Sequence, residues 1–163
     1  MDIVLKTPPD TARTLLLLLR AQLHASAGRD RAALHRAQEQ TADQVLARDE
    51  ILARYHTLAG RAALEDSRAL DNLVENWAAI VAFYADGFEF ERMRQVSPPN
   101  EGLTAVVDVP ARGPHDQTIL RIGCLRGKDE QWRVTSLAFA TAEPATPLAS
   151  QPVPTTSAAA TQP

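Results

Sequence analysis

The sequence predicts an α+β domain in which N-terminal helices pack on a C-terminal antiparallel sheet of about four strands. Three observations predict it. Leu70, Leu73, Val74, Trp77, Ile80, Val81 and Tyr84 recur at three- and four-residue steps, which draws one apolar stripe along a helix. After Gly87 the apolar period falls to two, beginning with Phe88-Glu89-Phe90-Glu91. Gln117 to Phe139 then reads as a hairpin whose second arm opens with Gln131-Trp132-Arg133-Val134.

The first helix starts at Thr7-Pro8-Pro9-Asp10. Thr7 can cap, Pro8 fits the first helical position, and Asp10 sits where a carboxylate meets free N–H groups. It should run to about Ser26 and stop at Gly28, and its leucines cover more than one face, so contact on two sides is expected. Asp30 can cap a second helical region. Residues 31–59 contain neither Gly nor Pro, and either one bent helix or two shorter ones fit, with Gly60 as the next break. The third helix is capped by Asp66 or Ser67 and ended by Asp86-Gly87.

The strands follow. Phe88 to Glu91 alternates as a half-buried strand does, and Ser97 to Gly102 is a loop. Leu103, Ala105, Val107 and Val109 alternate again, and Ala111 to Asp116 forms a loop around Gly113-Pro114. Thr118 to Leu125 is apolar on both faces, hence central. Arg126 to Glu130 turns the chain, and Trp132 to Phe139 returns. Short connections imply an antiparallel meander with one face on the helices. From Thr141 the chain is Pro, Ala, Thr, Ser and Gln without aromatics, which cannot bury enough surface to offset ordering entropy. The expected organisation is one domain over 1–140 and a disordered tail over 141–163.

Composition excludes more than it selects. The 163 residues are 45% hydrophobic with a net charge of −3, and charge is spread evenly, so nothing favours a nucleic-acid partner. The apolar run Leu15–Leu19 is five residues long. A signal core needs roughly 7–15 residues and a membrane span about 20. No span is expected, and the compartment reads as cytoplasmic as the chain stands, or periplasmic or secreted if a signal was trimmed. Cys124 is the single cysteine, so no intramolecular disulfide and no cysteine-based metal site can form.

The Thr7-Pro8-Pro9-Asp10 opening, the Gly28-Arg29-Asp30 break, the tryptophan-bearing third helix and the hairpin Lys128-Asp129-Glu130-Gln131-Trp132-Arg133-Val134 occur in an order that resembles the NTF2-like (cystatin-like) superfamily, most closely its small bacterial members of unknown function. The likeness spans about Thr7 to Ala140. It implies a curved sheet wrapped around helices as a cone, a pocket at the open end of the cone, and a homodimer formed through the sheet. Enzymes of that superfamily, such as ketosteroid isomerase and the polyketide cyclases, use a carboxylate or a His–Asp pair inside the cone. Carried onto this chain, the carboxylates are Asp86 and Asp108 and the hydrogen-bond donors Tyr55 or Tyr84.

Read from the residues, those groups have plainer roles. Asp86 precedes Gly87 as a turn residue does, and Asp108 alternates with Val107 and Val109, which turns its side chain to solvent. His24, His35, His56 and His115 have no metal-ligand spacing; His24 ends a helix, where an imidazolium favours the dipole. Cys124 reads as a small buried hydrophobe, and Trp77 and Trp132 as core anchors. Arg92, Arg94, Arg121, Arg126 and Arg133 could bind an anion if several shared a sheet face, with Glu89, Glu91 and Glu130 available to pair with them. No catalytic residue, metal or cofactor is expected. The cavity or rim candidates are Tyr55, Trp77, Tyr84, Asp86, Arg121 and Trp132.

The expected function is a non-catalytic binding or assembly module, with a second copy or a small molecule as partner. The rival is a small-molecule carrier or an isomerase- or cyclase-type enzyme using the cone cavity, which requires a deep pocket lined by a carboxylate and a tyrosine. A third reading makes residues 31–66 a helical adaptor surface.

Overall fold

The computed structural model describes residues 2–59, 66–97 and 102–140. The Gly60 break, most of the loop after Ser97 and the segment after Ala140 lie outside the described residues. Helix α1 spans Pro8–Ala27, α2 Arg31–Gln40, α3 Arg48–Ala59 and α4 Asp66–Val81. Strands β1 (Arg94–Ser97), β2 (Thr104–Arg112), β3 (Gln117–Arg126) and β4 (Trp132–Phe139) follow. They form one curved antiparallel sheet in the order β1-β2-β3-β4, so the chain is α+β, helices first and sheet last.

The start of α1 follows its local chemistry. The Asp10 N–H donates to Thr7 Oγ1 at 3.2 Å, and the Thr7 hydroxyl donates to Asp10 Oδ2 at 2.8 Å. Its end differs in one detail. Gly28 stays right-handed (φ −80), and Arg29 takes the left-handed conformation at φ 59. Asp30 N–H reaches Ala25 C=O at 2.8 Å and Arg29 N–H reaches Ser26 C=O at 3.1 Å, the bond pair of a Schellman motif with Arg29 at C′. Asp30 also caps α2 through the Ala33 N–H at 2.9 Å.

The open choice over residues 31–59 resolves into two helices. A π-helical turn, Thr41–Val45, ends α2, Leu46 is extended, and α3 begins at Arg48. At that turn the Thr41 hydroxyl donates to Ala37 C=O at 2.7 Å and accepts from Gln22 Nε2 at 3.1 Å, both residues being buried. The extended step lets Ala47 N–H donate to Val134 C=O at 2.8 Å, and Trp132 N–H donates to Leu5 C=O at 2.8 Å. The outer edge of β4 is therefore partly covered.

Two expectations are corrected after α4. The helix ends at Val81, continues as a 3₁₀ turn over Ala82–Tyr84, and reaches Gly87 only then. Gly87 serves a close approach instead, because a Cβ there would lie 1.9 Å from the Arg112 carbonyl oxygen. Phe88 to Glu91 is not a strand. Phe88 makes one bridge to Ala111, and Phe90–Arg92 is a 3₁₀ turn. The alternation there reflects two half-buried rings, 5.7 Å apart, with the Arg13 guanidinium 5.2 Å from the Phe90 centroid. The first strand is Arg94–Ser97, which carries little apolar alternation because it is a sheet edge. Strand β2 also runs on to Arg112, shortening the loop around Gly113-Pro114.

One core joins the layers. Leu15, Leu16, Leu18 and Leu19 of α1 and Leu70, Val74, Trp77 and Val81 of α4 pack with Val107, Val109, Leu120, Ile122 and Val134 of the sheet. At about 25 cal/mol per Å² this apolar burial is the main force holding helices to sheet. A bulge at Thr135 of β4, opposite the Gly123–Cys124 step, shifts the β3–β4 register, so Trp132, Val134 and Leu137 all face the core despite their uneven spacing.

Candidate functional site

The side of the sheet facing the helices carries the buried core of the described residues. Trp77 and Trp132, expected as anchors, are 5% and 7% exposed and belong to this core. The open surface is the opposite face. Since side chains alternate along a strand, partners in register share a face. Arg94 is paired with Asp108 across β1–β2, Asp108 with Arg121 across β2–β3, and Arg121 with Ala138 across β3–β4. One row therefore reads Arg, Asp, Arg, Ala across the sheet. The next row toward the Arg112 end of β2 pairs Pro110 with Ile119, beside Ala140.

Asp108 does not face solvent as the alternation implied. Its side chain is 8% exposed, against 49% for Arg121. Arg121 Nε donates to Oδ1 and Nη2 to Oδ2, each at 2.8 Å, a bidentate fork. Both carboxylate oxygens are engaged, so Asp108 holds the Arg121 guanidinium and is poorly placed to remove a proton from a substrate. Arg94 is exposed, and its guanidinium makes no ion pair with a described residue. Over this row lies an open groove of about 570 Å³ lined in part by Arg94, Val96, Asp108, Pro110, Ile119 and Arg121. Glu89 on its rim pairs with Arg92 at 2.7 Å and with Arg112 at 3.3 Å.

The other candidates fall elsewhere. Tyr84 donates to Asp116 Oδ2 at 3.0 Å and meets the edge of Phe139 at 5.8 Å. The Asp116 carboxylate accepts that hydrogen bond, which holds the phenol's pKa above its ordinary value. Asp86 lies at the surface with His24 Nε2 3.1 Å from its Oδ1, both side chains well exposed. A His–Asp pair in open water has none of the desolvation that strengthens such a pair inside a cavity. The Tyr55 side chain lies outside the described residues. Arg126 pairs with Glu130 and Arg133 with Asp129, each at 2.7 Å, so these two guanidiniums are matched within the β3–β4 hairpin. Burial pushes the Cys124 thiol up to about 12, leaving almost no thiolate at neutral pH.

Among the described residues no three His, Cys, Asp or Glu side chains converge as a metal site would require, and no helix is long and apolar enough to cross a membrane. Sequence reasoning missed the burial of Asp108 and the His24–Asp86 contact. The second pair is 62 residues apart and carries no local signal. The first had one, an acid set between valines in the middle of a strand, but the pattern does not say that an arginine covers it. Comparison of the chain with family models, curated proteins and solved structures finds no match.

Proposed function

We propose that this chain is a non-catalytic binding or assembly module whose contact surface is the sheet face turned away from the helices. One observation carries the proposal. The helix side is packed with leucine, valine and tryptophan, while the opposite face holds a groove of about 570 Å³ with an apolar lip and the Arg94–Asp108–Arg121 row. Ligand sites commonly fall between roughly 300 and 1,000 Å³. The order of helices and Trp-led meander supports an NTF2-like assignment as part of the same proposal. The enzyme reading has less behind it, because Asp108 has both oxygens engaged and the His24–Asp86 pair is well exposed.

Two measurements on the full chain test it. Sedimentation velocity over a range of concentrations reads self-association through the sheet. Thermal shift against anionic, neutral and cationic small molecules reads ligand binding. One signal is expected, and Ile119→Asp should remove it while far-UV circular dichroism is preserved. Silence in both measurements rejects the surface. Reproducible turnover that Asp86→Asn or Asp108→Asn abolishes rejects the non-catalytic half.

A further inference from the structure

One row of the outer sheet face narrows the chemistry of its occupant. Three neighbouring positions, Arg94, Asp108 and Arg121, carry two guanidiniums and one carboxylate. Arg121 takes both oxygens of Asp108, and the Arg94 guanidinium makes no ion pair among the described residues. Arg94 lines a groove, on a chain whose net charge is −3. It is a local feature and does not follow from overall composition.

The surroundings of the row are apolar. Pro110, Ile119 and Ala140 lie on one side along the strands, and Val96 on β1 lies on the other. Val96 and Ile119 are each 39% exposed, so apolar surface stays open beside the unmatched guanidinium. A second copy of the chain fits this face poorly. An isologous contact apposes a patch with itself, and would bring the Arg94 guanidinium near its own copy with no carboxylate supplied between them.

We propose that the groove binds a small amphipathic carboxylate: its carboxylate joins Arg94 beside the Asp108-held Arg121, and its apolar body lies over Pro110 and Ile119. This rests on the binding-module reading and adds the ligand's chemical class. Binding would give the Arg94 guanidinium the anion it lacks among the described residues. Asp108 is a positioning residue here. By fixing Nε and Nη2 of Arg121 it limits the rotamer freedom that binding would otherwise have to remove.

The test is calorimetric titration of the full chain with sodium octanoate below its micelle concentration, with octan-1-ol as the neutral match. Saturable binding of octanoate with one site per chain is expected, together with little response to octan-1-ol. Arg94→Gln should weaken octanoate roughly tenfold or more, the usual effect of losing a charge-assisted hydrogen bond. Ile119→Ser should weaken it by a smaller factor at unchanged salt dependence. Arg94 is exposed on an edge strand, so its variant should keep the parent melting temperature. Absence of saturable octanoate binding overturns the inference, as does equal binding to Arg94→Gln or equal binding of octan-1-ol. If octanoate is inert while Ile119→Asp dissolves a dimer, the ligand class falls and the module reading stands.

Discussion

Burial distinguishes the two halves of the Asp108–Arg121 pair, and their replacement should not cost the same. Asp108 is nearly enclosed, whereas Arg121 is half-exposed and can return to water. Arg121→Gln strands a buried carboxylate, and should cost about 2–4 kcal/mol, somewhat below the full cost of breaking a buried pair because one partner is wet. Asp108→Asn leaves an amide that still accepts one hydrogen bond and should cost about half as much. Urea unfolding of both variants decides; equal losses would mean that Asp108 is wetter than the structure has it. Cys124 gives a second check at this scale. With its thiol pushed up to about 12 in the core, the native chain should fail to react with a thiol reagent at pH 8 and should react stoichiometrically in denaturant.

At the scale of elements, the α1–α2 junction holds a conformational misfit. Arg29, at φ 59, occupies the C′ position that glycine usually fills, while Gly28 beside it does not need the freedom. A left-handed non-glycine residue costs about 1–2 kcal/mol, part of which glycine returns as unfolded-state entropy. Arg29→Gly should therefore raise the melting temperature by about 2–5 °C, and a scanning calorimetry trace that moves downward would reject the argument.

The β3–β4 hairpin makes a prediction about acid. Arg133, followed by the Gln131 N–H, holds the Asp129 carboxyl down at about 2. An unfolded aspartate titrates near ~3.9. The group is lowered in the folded state, so its contribution is fully present above about pH 4 and disappears as pH falls toward about 2. The melting-temperature gap between parent and Asp129→Asn should be constant from pH 7 to about 5 and close below that. A gap that persists at pH 2 would exclude this pair as its source.

The elements also show what the sequence could and could not disclose. The helix stripe, the Thr7 cap and the terminal hairpin are local signals, and local signals were readable. Residues 88–91 misled because two half-buried rings flanking Glu89 imitate strand alternation, while the real edge strand at Arg94–Ser97 has too few apolar side chains to announce itself. The Gly87 contact with Arg112, the bridge from Leu46 to Val134 and the Arg94–Asp108–Arg121 row all depend on register between segments distant in sequence. Spacing within one segment does not encode register, which is set by bulges and by the pairing of whole strands.

For the molecule as a whole, helices and sheet share a single core. Trp77 projects from α4 and Trp132 opens β4, and both lie in the cluster that contains the α1 leucines and the central strands. Helix α1 contacts β2, β3 and β4, so the sheet cannot lose its inner face without exposing the helix leucines. An assembly held this way should unfold in one step. The chain has two tryptophans, so Trp77→Phe leaves a reporter on the sheet and Trp132→Phe leaves one on the helices. Each substitution lowers stability, yet within each variant the fluorescence midpoint in urea should coincide with the far-UV circular dichroism midpoint. Separation of the two curves in either variant would mean that helices and sheet are held by different interactions. The outer-face groove would then sit on a sheet that can loosen independently, and a ligand bound there would stabilise the fluorescence transition of the Trp77→Phe chain without moving its helical signal.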